Sequence, residues 1–130
     1  MKSKDDLIAL LLEDVQAFNQ YRKERNNEDI DLSNADLSYA NLSGAYLSYA
    51  NLIEANFIDA DLTKAVLRWA NLYGANLIDA DLTLSNLTRA NLTGANLKGA
   101  NLSNANLDKA CLDGSNLDGA KFCSDNDGGE

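Results

Sequence analysis

Ala90-Asn-Leu-Thr-Gly-Ala-Asn-Leu-Lys-Gly-Ala-Asn-Leu-Ser103 repeats one unit: a small residue, a short amide or acid, Leu, then two variable residues. The beat holds from Ile30 to Ser124. Its centre falls at Leu32 and at every fifth residue to Phe122, nineteen times, with Leu at seventeen and Phe at Phe57 and Phe122. Two residues before each centre stands Ala in sixteen of the nineteen units, the others being Ile30, Ser85 and Ser115. An apolar period of five fits neither the period of about 3.6 of a helix nor the period of about two of a strand. Nor is it the coiled-coil beat of about 3.5. It fits a chain that turns a corner every five residues, with Leu and the small residue pointing inward on each side. A disordered low-complexity tract would not hold this register for ninety-five residues.

A longer period sets the number of sides. Ala55-Asn-Phe-Ile-Asp-Ala-Asp-Leu-Thr63 returns twenty residues later as Ala75-Asn-Leu-Ile-Asp-Ala-Asp-Leu-Thr83. Four pentapeptides per coil give a square cross-section, with residue n stacked on residue n+20. Asn51, Asn71 and Asn91 then form one column, Asn56, Asn76, Asn96 and Asn116 another, and Asp61 and Asp81 a third. Identical polar residues at the strand spacing of ~4.8 Å are expected to hydrogen-bond as ladders. Counting from residue 30 gives between four and five coils, a rod ~20–25 Å long.

These runs resemble the pentapeptide-repeat family, whose unit is Ala, Asp or Asn, Leu and two variable residues. The resemblance implies an all-β solenoid, a right-handed quadrilateral β-helix. Tyr46, Val66, Cys111 and Lys121 depart from the pattern, standing where Asp or Asn is usual. The segment Phe18-Asn-Gln-Tyr-Arg-Lys-Glu-Arg-Asn-Asn27, leading into Asp31-Leu-Ser-Asn-Ala-Asp-Leu37, is similar to the helical start of short members abundant in cyanobacteria.

Residues from about Lys4 to Arg25 read as one helix. Ser3 with Asp6 makes a capping-box-like start, and Asp5 and Asp6 suit the positive end of the helix dipole. Arg22, Lys23 and Arg25 crowd the last turn, and Asn26-Asn27 supply a left-handed stop. Leu7, Ile8, Leu11, Leu12, Val15 and Phe18 share one face. That face is either a partner-binding surface or a lid on the first coil, and the lid is preferred because solenoids need capped ends. The division is thus a capping helix and linker over 1–29, the repeat over 30–124 and a disordered acidic tail over 125–130.

The net charge of −9 argues against direct nucleic-acid binding and against anionic membranes, both of which need clustered Lys and Arg. The apolar run Leu7 to Leu12 is too short to span a bilayer, and no secretory signal is visible. Two Cys without a framework pattern fit a reducing compartment, so a cytoplasmic protein is expected. On the square register Cys111 and Cys123 face opposite directions, which rules against a disulfide. With no His in the chain, Ser-His and Cys-His nucleophiles and His-based metal sites are excluded. A filled interior offers no cleft for paired carboxylates, so no enzyme activity, cofactor or metal is expected. Asp59, Asp61, Asp79 and Asp81 flank one edge and read as solvated charge.

Apolar residues at polar positions are the functional signal. Tyr46, Tyr49, Val66 and Trp69 fall on one side and its corner, with Ile53 and Tyr73 just around it and Arg68, Arg89 and Lys109 at the rim. They read either as a binding surface, where Tyr and Trp act as anchors, or as local packing beneath the N-terminal segment. The first makes the protein a non-enzymatic rigid scaffold for protein–protein interaction. The alternative, implied by the family resemblance, is a DNA-mimic protein that binds a type II topoisomerase such as DNA gyrase. The uncapped end at Leu112, Leu117 and Phe122 admits either a monomer or a C-terminal end-to-end homodimer.

Overall fold

The computed structural model describes residues 2–122; Cys123, Ser124 and the expected acidic tail over 125–130 lie outside them. From Asp31 onward the backbone pairs with itself in parallel at a constant offset of twenty, from Asp31 with Asn51 through to Asn101 with Lys121. The Leu32 amide donates to the Asn51 carbonyl, and the Asn51 amide returns to the Ile30 carbonyl, both at 2.8 Å. Each side contributes a single bridging residue before the chain turns, so the rungs are isolated bridges rather than long strands. Four sides close one coil, and the solenoid is quadrilateral. The sides are named here by their first central residues: Leu32, Leu37, Leu42 and Leu47.

The corners have a uniform chemistry. The second residue after the centre has positive φ, as at Asn34 (60°), Gly44 (74°), Trp69 (59°) and Lys109 (60°). The following amide bonds back to the central carbonyl, Ala45 to Leu42 at 3.0 Å for example. Positive φ confined to the third turn residue is the type II pattern, which favours Gly or Asn there. Tyr49, Trp69 and Leu84 hold the same conformation, which costs an L-residue with a bulky side chain roughly 1–2 kcal/mol.

The short polar residue before the centre serves the corner more than the stack. Asn51 Oδ1 accepts the Ile53 amide at 3.1 Å, and Asp61 Oδ1 accepts both the amide (2.9 Å) and the hydroxyl (2.7 Å) of Thr63. This Asx turn satisfies an amide that the coil-to-coil ladder leaves out. The expected side-chain ladders are correspondingly sparse, with Asn51 to Asp31 and Asn91 to Asn71 both long at 3.4 Å. In the first coil, the Ser33 amide and hydroxyl hold the Asp31 carboxylate below its ordinary pKa, and the Ser38 hydroxyl and amide do the same to Asp36.

Leu and Phe fill the interior, and the small side chain two residues before each centre packs inside as well: Ala45, Ala55 and Ala65 are fully buried. Ser85 occupies that position buried, and its hydroxyl has no hydrogen-bond partner among the described residues. An unsatisfied buried hydroxyl costs about 1–3 kcal/mol, and Ser85→Ala is nearly isosteric. The substitution is expected to stabilise the fold by about 1 kcal/mol, read as a raised urea midpoint. A lowered midpoint would show that Ser85 has a partner role.

The N-terminal segment corrects the expectation of a single capping helix. Two helices form, α1 over Lys4–Glu13 and α2 over Val15–Glu24. Ser3 caps α1 as its sequence suggests, accepting the Asp6 amide at 3.1 Å. The break is at Asp14, whose backbone is extended (φ −154°, ψ 95°) and whose carboxylate accepts the Ala17 amide. Asp14 is thus an N-cap that starts a second helix, the preference that makes Asp poor inside one. Leu7, Leu11 and Phe18 are buried in the same core as the solenoid leucines, whereas Leu12 stays 48% exposed. Helix α2 ends in a Schellman motif, the Asn27 amide reaching the Arg22 carbonyl and the Asn26 amide that of Lys23. Asn26 and Asn27 both have φ of 55°. Among the described residues no helix is long and apolar enough to cross a membrane.

Candidate functional site

The site begins with how α2 meets the first coil. That coil has no preceding rung, so its upper backbone groups need other partners. On the Leu47 side, Asn19 and Arg22 supply them. Asn19 Oδ1 accepts the Tyr46 amide at 2.8 Å, and its Nδ2 donates to the Gly44 carbonyl at 3.0 Å. The Arg22 guanidinium, fully buried, donates to the carbonyls of Tyr46, Ser48 and Glu28. Burial pulls its pKa below the ordinary value, opposed by the nearby charges of Glu28 and Asp29. Two side chains therefore stand in for a missing strand and fix Tyr46 and Ser48 in place.

Beside this cap, the register stacks Tyr46 on Val66 and Tyr49 on Trp69, while Ile53 and Tyr73 form a separate column on the Leu32 side. Tyr46 bridges Val66, the Tyr49 amide bonds the Arg68 carbonyl, and the Trp69 amide bonds the Thr88 carbonyl. Tyr49 (45% exposed), Trp69 (46%) and Tyr73 (49%) project from the surface, while Tyr46, Val66 and Ile53 are half-buried. Tyr46, Val66, Ser48 and Asn27 line a notch of about 310 Å³. The corner column above it runs Tyr49, Trp69, Arg89, Lys109, and the Arg89 guanidinium lies 5.0 Å from the centre of the Trp69 ring. That separation is a cation–π contact.

Two exposed apolar corners escaped the sequence reading: Tyr39 (74% exposed) and Leu84 (52%). The signal was available, since each stands two residues after a centre, where every side chain projects. They lie on other corners, away from Trp69. Cys111 is a free, half-buried thiol with Sγ 3.3 Å from Thr93 Oγ1; Cys123, its expected opposite, is outside the described residues. Among the described residues no group of three or more Cys, Asp or Glu converges as a metal site would require.

A four-sided solenoid built from five-residue units defines a class, and comparison with known proteins identifies it. The family described as pentapeptide repeats matches residues 28–63, 50–89 and 85–122 in eight copies. The chain belongs to the pentapeptide-repeat family, and its fold is the right-handed quadrilateral β-helix. Among solved structures it is similar to a pentapeptide repeat protein of the Arabidopsis thaliana thylakoid lumen. That likeness has 35% identity and a TM-score of 0.69, over 75% of this chain and 71% of the other. It is also similar to a pentapeptide repeat protein from the cyanobacterium Cyanothece 51142, with 40% identity and a TM-score of 0.42 over 72% of this chain and 63% of the other. No curated protein sequence matches the chain.

Proposed function

We propose that the protein is a non-enzymatic rigid scaffold for protein–protein interaction, a rod of between four and five coils that presents Tyr46, Tyr49, Val66, Trp69, Ile53 and Tyr73 to a protein partner. The observation that carries this reading is the pair of half-exposed rings, Tyr49 and Trp69, stacked on the side that holds a preformed notch, with the half-exposed Tyr73 on the next side. Large rigid side chains of this kind anchor interfaces at low entropic cost. Tyr49 and Trp69 also sit in a backbone conformation that favours Gly or Asn. Residues 1–29 act as the lid, and 30–124 as the binding body. An interior filled by Leu and Ala, in a chain without His, supports a role free of catalysis. Among the described residues Leu112 and Leu117 are only partly buried and Phe122 is 43% exposed, which supports a C-terminal end-to-end homodimer beside the monomer as the assembly. Two Cys without a framework spacing support a reducing compartment such as the cytoplasm.

Tyr49→Asn with Trp69→Asn tests the surface, because Asn tolerates the left-handed corner that both residues occupy. The double variant is expected to keep its circular dichroism spectrum and lose capture of native partners by about a hundredfold in affinity. Full retention of capture would remove this surface from the reading.

A further inference from the structure

The off-pattern residues Tyr46 and Val66 do more than add apolar surface. At most other sides the residue before the centre lends its side-chain oxygen to the amide two residues on, as Asn86 Oδ1 does for Thr88 at 3.0 Å. Tyr46 and Val66 have no such oxygen in reach. The amides of Ser48 and Arg68, one above the other on the Leu47 side, therefore have no hydrogen-bond partner among the described residues. Ser48 itself lines the notch, and Arg68 follows two residues after Val66, which lines it too.

The charge on this side is also exceptional. Arg68, Arg89 and Lys109 stand against one carboxylate, Asp108, a net +2 in a chain of net −9. The Leu37 side carries Asp36, Asp59, Asp79 and Asp118 against Lys98, and the Leu32 side carries Asp31, Glu54 and Asp113 with no cation. The Leu42 side balances Asp61 and Asp81 with Lys64 and Lys121. Among the described residues the salt bridge is Arg25 with Glu28, on the cap at the first-coil end of this side, and Arg68, Arg89 and Lys109 have no carboxylate within salt-bridge distance. Orphan amides, cations without a carboxylate partner and an apolar notch thus share one strip. From the Val66 rung to the Lys109 rung is two coil steps, ~10 Å, or about three residues of extended chain.

We propose that the Leu47 side docks an extended, carboxylate-bearing segment of a partner protein, with an apolar side chain in the Tyr46–Val66 notch. Its carboxylates accept from the Ser48 and Arg68 amides and from Arg68, Arg89 and Lys109. The inference rests on the scaffold reading and adds the chemistry of the partner. Charge-assisted hydrogen bonds from backbone amides and guanidinium groups are what an Asp or Glu side chain would gain here. The surrounding negative charge would repel the same segment from the other acidic sides.

The test uses the full chain and two synthetic peptides: one Phe followed by alternating Ser and Glu, and the same peptide with Gln for Glu. Trp69 is the single Trp of the chain, so its fluorescence reports on the strip itself. The Glu peptide is expected to change the emission saturably and to bind at least about tenfold tighter than the Gln peptide. Arg89→Gln with Lys109→Gln should abolish that preference. Val66→Asn restores the oxygen that the repeat pattern supplies elsewhere, occupies the Arg68 amide and should weaken the Glu peptide by about tenfold with the spectrum of the fold unchanged. Equal affinity for the two peptides, or no saturable response to either, overturns the inference. If the Tyr49/Trp69 variant loses its native partner while the charge and Val66 variants keep it, the scaffold reading stands and the acidic segment is wrong.

Discussion

Arg22→Met is expected to destabilise the protein by about 3–5 kcal/mol, a large share of the roughly 5–15 kcal/mol typical of a whole domain. Replacing a buried ion pair with apolar residues is often harmless, because both charges leave together. Here the partners cannot leave: they are the backbone carbonyls of Tyr46, Ser48 and Glu28. Met fills much of the volume and satisfies none of them, and each buried unsatisfied acceptor costs about 1–3 kcal/mol. Arg22→Lys should recover part of the loss, since one compact ammonium lacks the planar fork that reaches three acceptors. Urea denaturation supplies the magnitude, and hydrogen exchange supplies the place. Amides of the first coil, Leu32 to Tyr49, should exchange faster while those around Leu82 change little. A loss below about 0.5 kcal/mol, within the range of ordinary surface substitutions, would show that the guanidinium is not what closes this edge.

The second large effect concerns the middle of the stack. Leu67 is fully buried between Leu47 and Leu87 of the neighbouring coils. Leu67→Ala should cost about 2–5 kcal/mol, the lost transfer energy plus a cavity that a rigid coil cannot collapse around. Leu117 has the same role in the repeat but is only partly buried, in the last coil. Leu117→Ala should therefore cost about 1–2 kcal/mol less, a difference that propensity alone would not produce. The mid-stack variant should also broaden the unfolding transition, because solenoid stability passes from each repeat to its neighbours. Equal costs at the two positions would mean that stacking depth does not govern stability here.

How far the sequence was legible follows from what repetition exposes. The five-residue beat and the Ala55–Thr63 recurrence set the coil, its sides and the column of Tyr46 over Val66, all of which depend on spacing alone. The helix break lies inside a continuous apolar face, Leu7 to Phe18, which masks it, although an Asp before Val-Gln-Ala is an N-cap signal. Arg22 was read as a cation at a helix end, since nothing local distinguishes it from Lys23. Its inward direction follows only from the register of Phe18, Asn19 and Arg22 on one face of α2. The Asn columns suggested ladders because stacking is visible in a repeat, whereas the unpaired amide two residues on is visible only in three dimensions. The candidate surface was located by its deviations, and the orphan amides beneath it were not.

The constant offset of twenty has a consequence for how such a chain can change. Any stripe along the rod is written in the gene with a stride of twenty, so its members are never close in sequence. Duplicating or deleting twenty residues lengthens or shortens every stripe and disturbs none. Duplicating five leaves the backbone as content as before but rotates everything downstream by a quarter turn. Arg89 would then leave the corner above Trp69, and the acidic and basic strips would be spliced together. In this architecture the frame of the surface is separable from the frame of the fold.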